Sequence, residues 1–272
     1  MTHKHFVNND GIGYVALLDT MPRENLDEAI VSAARVSYDP GSTNRTRTTS
    51  GLIRFLLRHA HTTPFEMVEF KFLIRMPLFI ARQHMRHRTS SINEVSARYS
   101  EVKDEFFVPE EFRKQATVNR QGSEGVIDDN ETMIGATNAH SVMSHKLYME
   151  LIKSGDVCRE QARMVLPQSA YTEFYWKINL HNLMHYLHLR MDSHAQKEIR
   201  DYANTIYNII KPLAPITCQA FEDFRLKSIN LSGPEIKVLT KMLQNAPDAD
   251  TSELSAGEAR EFKDKINNII NV

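Results

Sequence analysis

The densest chemistry in this chain lies between Arg82 and Tyr99, RQHMRHRTSSINEVSARY. Four arginines, Arg82, Arg86, Arg88 and Arg98, stand against one acid, Glu94, a formal +3 within the segment. Guanidinium groups are always charged and offer planar donor forks that match phosphate oxygens. His84 and His87 add ring nitrogens; Ser90, Ser91 and Ser96 add hydroxyls. Glu94 can accept from a sugar hydroxyl or a ring N–H. A run such as Arg86-His87-Arg88 is commonly solvated charge at a helix end. Here it follows an apolar stretch and leads into a Ser/Asn/Glu segment, which suits a grip on a phosphorylated ligand. Ser96 has no evident adjacent base, so a nucleophilic role is disfavoured against phosphate hydrogen bonding.

The scarcity of glycine points the same way. The 272 residues contain only 10 glycines, and only Gly11 and Gly13 sit close together in the early chain. No third glycine completes a dinucleotide fingerprint, and no P-loop is present. Side chains must therefore hold any nucleotide. A second cluster, His181, His185 and His188, falls near one side of a helix and raises the alternative of zinc. The HExxH pattern is absent because Asn182 follows His181, and helix histidines are more often hydrogen-bonded within the fold. The reading is of no metal.

These groups need elements to position them. Helical spacing predicts helices over Glu24–Val36, Leu52–His59 and Leu78 to about Met85. Met67–Met76 alternates cleanly, with Val68, Phe70, Phe72, Ile74 and Met76 on one side, and predicts a strand. An irregular segment runs on to Ser100. Tyr38–Ser50 reads as a loop, and Arg113–His140 as a long loop or insertion. Helices follow over Ser141–Lys153 and Val157–Leu166. Tyr171–Ile178 is aromatic-rich and extended. Asn179–Arg190, Ala195–Ile210 and Ile216–Phe224 are helical again. Beyond residue 231 come Ser232-Gly233-Pro234, a linker over Ala246–Thr251, and a capping box, Ser255-x-x-Glu258. This divides the chain into a main domain, 1–231, and a helical extension, 232–272.

Composition is that of a soluble globular protein: 25% charged, 42% hydrophobic, net charge −1. Nothing in it points to a nucleic acid or a membrane. The arginine segment lacks lysine, which also disfavours a nucleic-acid module. Cys158 and Cys218 cannot staple a fold of this size, and no apolar run approaches a bilayer span. With a polar N-terminus, a cytoplasmic location is expected.

Arg86-His87-Arg88, seven residues and then Ser96 resembles the R-H-R-x7-S signature of flavin-dependent thymidylate synthases. Gln83, Asn93-Glu94 and Arg98-Tyr99-Ser100 are similar to that family. So are Ala34-Arg35-Val36-Ser37, His59-x-His61-x-Thr63-Pro64-Phe65-Glu66, and Leu189-Arg190-x-Asp192-Ser193-His194-Ala195-Gln196. The resemblance covers roughly Gly13–Leu226. His84 stands where the family has an aromatic residue, and His185 where Asn is common.

The resemblance implies an α+β fold, a mixed sheet flanked by long helices of the thymidylate synthase-complementing type. It implies FAD held by His61, Thr63, Arg86, His87, Arg88, Glu94, Asn179, His181 and His185. It implies deoxyuridylate held by Gln83, Arg86, Glu94, Val95, Ser96, Ala97, Arg98, Arg163 and Arg190. Arg190 would be catalytic, polarising the uracil ring. NADPH and methylenetetrahydrofolate would be co-substrates, and active sites would be shared within a homotetramer. A same-fold enzyme adding another one-carbon group, such as hydroxymethyl, is the alternative.

Overall fold

The alternation seen in Met67–Met76 does what its period requires: Val68, Phe70, Phe72, Ile74 and Met76 are all fully buried. In the computed structural model the described residues are 3–8, 10–37, 47–117, 122–243, 251–252 and 254–270. The chain separates into two compact units, Met1–Leu226 and Lys227–Val272.

The first unit begins with β1 (His5–Phe6) and β2 (Tyr14–Met21), then α1 (Leu26–Arg35), α2 (Thr49–Arg58) and α3 (Thr63–Glu66). The central strand β3 (Glu69–Pro77) runs into α4 (Leu78–His84) and a short edge strand, β4 (Ser91–Glu94). A hairpin of β5 (Arg113–Gln115) and β6 (Ser123–Val126) precedes the long α5 (Asn130–Lys153). Then come α6 (Arg159–Ala162), a 3-10 turn (Arg163–Val165), β7 (Tyr171–Asn179), α7 (Leu180–Arg190), α8 (Lys197–Ile210) and α9 (Pro215–Phe221). A π-helical turn, Glu222–Leu226, closes the unit.

Five strands form one sheet in the order β1-β2-β3-β7-β4. Every pairing is antiparallel. The α+β class holds, but the expected mixed sheet is corrected to an antiparallel one. Strand β7 returns beside β3 after a long excursion, with Glu69 opposite Asn179 and Pro77 opposite Tyr171. On one face Phe72 and Trp176 pair directly, as do Ile74 and Phe174. That face carries the core, packed against Ile30, Ile53, Leu183, Leu187 and Ile206 from the helices. The opposite face is polar and wet, with Lys71, Tyr175 and Lys177 exposed. One buried face and one solvated face is why both strands alternate so cleanly.

The expected long loop over Arg113–His140 is also corrected. It contains the β5–β6 hairpin and the first three turns of α5. Strand β6 is exposed throughout, and the start of α5 is exposed nearly all round, so neither buries a face that would impose a period. Strand β2 escapes sequence reading for another reason. Tyr14, Val15 and Ala16 are buried consecutively, and the register slips between Leu17 and Asp19. A bulge there destroys the alternation. The expected loop at Tyr38–Ser50 lies outside the described residues over 38–46.

In the second unit, α10 (Gly233–Leu243) and α11 (Ala256–Ile270) are helical. The Ser255–Glu258 capping box is formed: Ser255 N–H donates to Glu258 Oε2 (3.1 Å) and Glu258 N–H donates to Ser255 Oγ (3.4 Å). The expected linker lies outside the described residues over 246–250. Among the described residues, no helix is long and apolar enough to cross a membrane.

Candidate functional site

Helix α4 ends at His84, and the chain turns through Met85 to His87, whose N–H donates to His84 O (3.2 Å). This turn buries His87 while leaving Arg86 and Arg88 exposed on either side of it. Neither arginine side chain has a hydrogen-bond or ion-pair partner among the described residues. Two exposed guanidiniums, uncommitted among the described residues and one residue apart in sequence, suit a diphosphate.

His87 meets Arg190, the last residue of α7. Arg190 Nε–H donates to His87 Nε2 (3.1 Å), and an Nη2–H reaches Gln83 O (3.5 Å). For His87 to accept there, its Nε2 must be unprotonated. Burial, the Arg190 charge and nearby His185 lower its pKa to about 4, so the ring is neutral at physiological pH. The His87 and His185 rings are 5.7 Å apart, centroid to centroid.

From His185 the site opens into a small pocket of about 120 Å³ between α2, α3 and α7. His61, His181, His185 and His188 stand around an apolar floor that includes Leu57, Phe65 and Met184. Its volume is below the roughly 300–1,000 Å³ usual for a ligand pocket. It can take the edge of a flat ring, not a whole dinucleotide. The three histidines of α7 thus share one cavity. Among the described residues no three of His, Cys, Asp or Glu converge as a metal site.

A larger cleft of about 890 Å³ lies elsewhere, where β4 meets the start of β7. Glu94, Val95, Ser96 and Ala97 line one side; Arg163, with Glu160, lines the other. Arg82 also lines it. Glu94 is anchored by the Thr172 hydroxyl, which donates to Oε1 (2.5 Å). Ser96 Oγ accepts from Arg98 N–H (3.2 Å), and the turn is closed by Tyr99 and Ser100 N–H groups donating to Ser96 O. Arg98 pairs with Glu160 (3.2 Å) at half-exposed positions.

The expected residues therefore fall into two groups. Gln83, His87 and Arg190 meet one another and adjoin the pocket of His61, His181 and His185. Glu94, Val95, Ser96, Ala97 and Arg163 line the cleft, with Arg98 beside it. The pocket and the cleft have no lining residue in common. Thr63 is exposed at the start of α3, and its neighbour Thr62 lines the pocket instead. Asn179 is the N-cap of α7: its Oδ1 accepts from Asn182 N–H (2.9 Å) and from Asn182 Nδ2 (3.0 Å). Only its amide N–H groups are left to meet a ligand.

Sequence reasoning missed Thr62, Arg225 and Glu160. Arg225 lines the small pocket from the π-helical turn, its Nη2–H donating to Leu57 O (2.8 Å). A π-turn has no periodic signature, although such turns cluster at functional sites. Cys218 is buried, its thiol pKa pushed up to about 12 by burial; Cys158 is exposed. Neither lines the pocket or the cleft.

An antiparallel sheet with helices on one face, two arginines unpaired among the described residues, and a cleft lined by Arg82, Arg163 and Ser96 suit a nucleotide-binding α+β protein that has no phosphate loop. The chain belongs to the thymidylate synthase complementing protein family, which residues 16–216 match. It is 50% identical over 246 residues to a flavin-dependent thymidylate synthase of Dictyostelium discoideum, covering 88% of this chain and 80% of that one. It is 49% identical over 231 residues to a flavin-dependent thymidylate synthase of Thermus thermophilus, covering 85% and 83%. The crystal structure of a UMP/dUMP methylase from Streptomyces cacaoi, bound with 5-Br dUMP, aligns with a TM-score of 0.70 and 36% identity. That alignment covers 79% of this chain and 97% of the methylase.

Proposed function

We propose that the protein is a flavin-dependent thymidylate synthase, converting deoxyuridylate to thymidylate with methylenetetrahydrofolate as carbon donor. The observation that carries this reading is the Arg190–His87 hydrogen bond, linked to the histidine pocket through the His87–His185 ring contact. It presents a fixed guanidinium beside the place where the motif arginines lie.

The residues present fit FAD. Arg86 and Arg88 would hold the diphosphate. His61, His181, His185 and His87 would meet ring and ribose edges, with Thr63, Glu94 and the free amide of Asn179 completing the set. Bound FAD, reduced by NADPH, supplies the hydride that turns the transferred carbon into a methyl group.

The chain's own work is binding and charge control. Carbon–carbon bond formation at C5 of uracil needs electron density there, and negative charge develops on the ring's N3 and O4 side. Arg190 stabilises that charge, as an oxyanion hole does. Its orientation comes from His87, which contributes a lone pair and no competing charge. In the cleft, Ser96 and Arg163, with Arg98 from beside it, bind the nucleotide phosphate, and Glu94, Val95 and Ala97 shape the sugar site. Gln83 and Arg86 complete the substrate contacts.

The cleft that would bind the phosphate shares no lining residue with the histidine pocket that Arg190 and His87 adjoin. This favours a homotetramer in which one subunit's cleft faces another's histidine pocket. The assembly would work in the cytoplasm. Purified protein should be yellow, and deoxyuridylate should perturb its visible spectrum or change the rate of NADPH oxidation. Colourless protein that FAD cannot reconstitute overturns the reading.

A further inference from the structure

Beside the Arg190–His87 contact lies a second tie to α7, this one from the end of α4 itself. His84, at the end of α4, is wholly buried, and its Nδ1 is 2.9 Å from the hydroxyl of Tyr186 on α7. Tyr186 is itself wholly buried and stands four residues before Arg190, one helical turn away on the same face. Its ring touches both histidines edge-on, with centroids 4.8 Å from His84 and 4.9 Å from His87.

The pair is costly. His84 Nε2 and Trp176 Nε1 are buried with no hydrogen-bond partner among the described residues, and their rings are 4.4 Å apart. Burying an unsatisfied polar atom is destabilising, and an apolar pair at positions 84 and 186, such as two phenylalanines, would avoid the cost of His84 Nε2 without orphaning the Tyr186 hydroxyl. An imidazole here is thus not what packing alone selects. What it adds is a tether: it holds the Tyr186 hydroxyl oxygen at the end of α4, and so restrains the Tyr186 ring where it meets His87.

We propose that His84 and Tyr186 are a positioning pair, setting the imidazole plane of His87 and so the lone pair it offers to Arg190. Neither residue lines the pocket or the cleft. They act through His87. The inference rests on the assignment of Arg190 to the pyrimidine ring.

The test is Tyr186→Phe in the FAD-loaded enzyme, with ¹⁵N-histidine NMR beside steady-state kinetics. The ring is retained, so packing is preserved. The expected result is a roughly tenfold lower kcat, with KM for deoxyuridylate and FAD content unchanged within about twofold. The His87 nitrogen shifts should move with it. His84→Asn, which keeps a polar atom near the Nδ1 position, should retain more turnover than His84→Leu. A Tyr186→Phe enzyme with wild-type kcat and unmoved His87 signals overturns the proposal.

The wild-type enzyme provides a check independent of any variant. Its His87 must be the neutral tautomer carrying hydrogen on Nδ1; a proton found on Nε2 overturns the proposal. Moved His87 signals with unaltered kcat would refute the Arg190 assignment instead.

Discussion

Arg190 Nε and His87 Nε2 are 3.1 Å apart, so the last residue of α7 is held by a turn that begins at the end of α4. The guanidinium keeps its charge, while the imidazole is neutral and accepts. Arg190→Ala is expected to lower kcat by about 10²–10³-fold, the scale for loss of one oxyanion-type donor. FAD content should change far less. Rapid-quench assay of thymidylate formation, with bound flavin read at its visible band, checks this. Intact turnover would remove Arg190 from the chemistry.

His87→Ala and Arg88→Ala should act on the cofactor. Each removes a candidate contact to FAD, Arg88 a charge-assisted one. Loss of one such contact is about 1.5–3 kcal/mol, or roughly 10- to 100-fold in affinity. Titration of apo-protein with FAD measures it. FAD affinity equal to wild type in both variants would contradict the assignment.

Asn179 has two separable duties. Asn179→Ala should lose the helix cap and about 1 kcal/mol of stability. Asn179→Asp keeps an accepting oxygen for the α7 N-terminus but discards the amide donors. It should therefore melt near wild type and still bind FAD more weakly. A low melting temperature in both variants, by scanning calorimetry, would show that the amide group matters to folding.

The two buried histidines make the fold acid-sensitive. Their pKa values are held near 3 for His84 and 4 for His87, each mainly by burial, against 6.5 when unfolded. Below pH 6.5 the unfolded chain takes up protons that the native chain refuses. Stability is therefore whole above pH 6.5 and falls as pH drops through 6 and 5 toward 4 and 3. Below about pH 4, His87 gains a proton and can no longer accept from Arg190. Urea melts at pH 7 and pH 5 should differ in midpoint, and His84→Phe should narrow that difference. Equal midpoints in the native protein would contradict neutral burial.

Arg163 lines the cleft and does not touch Arg190. Arg163→Ala should raise KM for deoxyuridylate by about tenfold or more and leave kcat nearly unchanged, the pattern of lost uniform binding. A drop in kcat at unaltered KM would move Arg163 into the transition state.

Much of this was legible in the chain because period and burial agree. Phe70, Phe72, Ile74 and Met76 alternate because one side of β3 is core and the other is water. The Arg86–Arg88 segment was legible because local excess charge survives whatever the acids elsewhere do to the total. What stayed hidden had no period to betray it. Strand β2 slips register, the start of α5 buries almost nothing, and Arg225 arrives on a π-turn. The separation of the histidine pocket from the Glu94–Ala97 cleft was equally invisible. It depends on β7 bringing Tyr171 beside Pro77, a pairing almost a hundred positions apart.

Strand β7 also acts as a ruler. Thr172 and Glu173 at its start belong to the cleft, and Asn179 at its end caps the helix that carries His181, His185 and Arg190. It is paired on both sides, to β3 and β4. One residue added or removed between Phe174 and Ile178 would turn its downstream side chains to the wrong face. The spacing from Glu173 to Arg190 is therefore incompressible. A change of chain length is better tolerated where the backbone is exposed, as in strand β6, all four of whose residues are exposed.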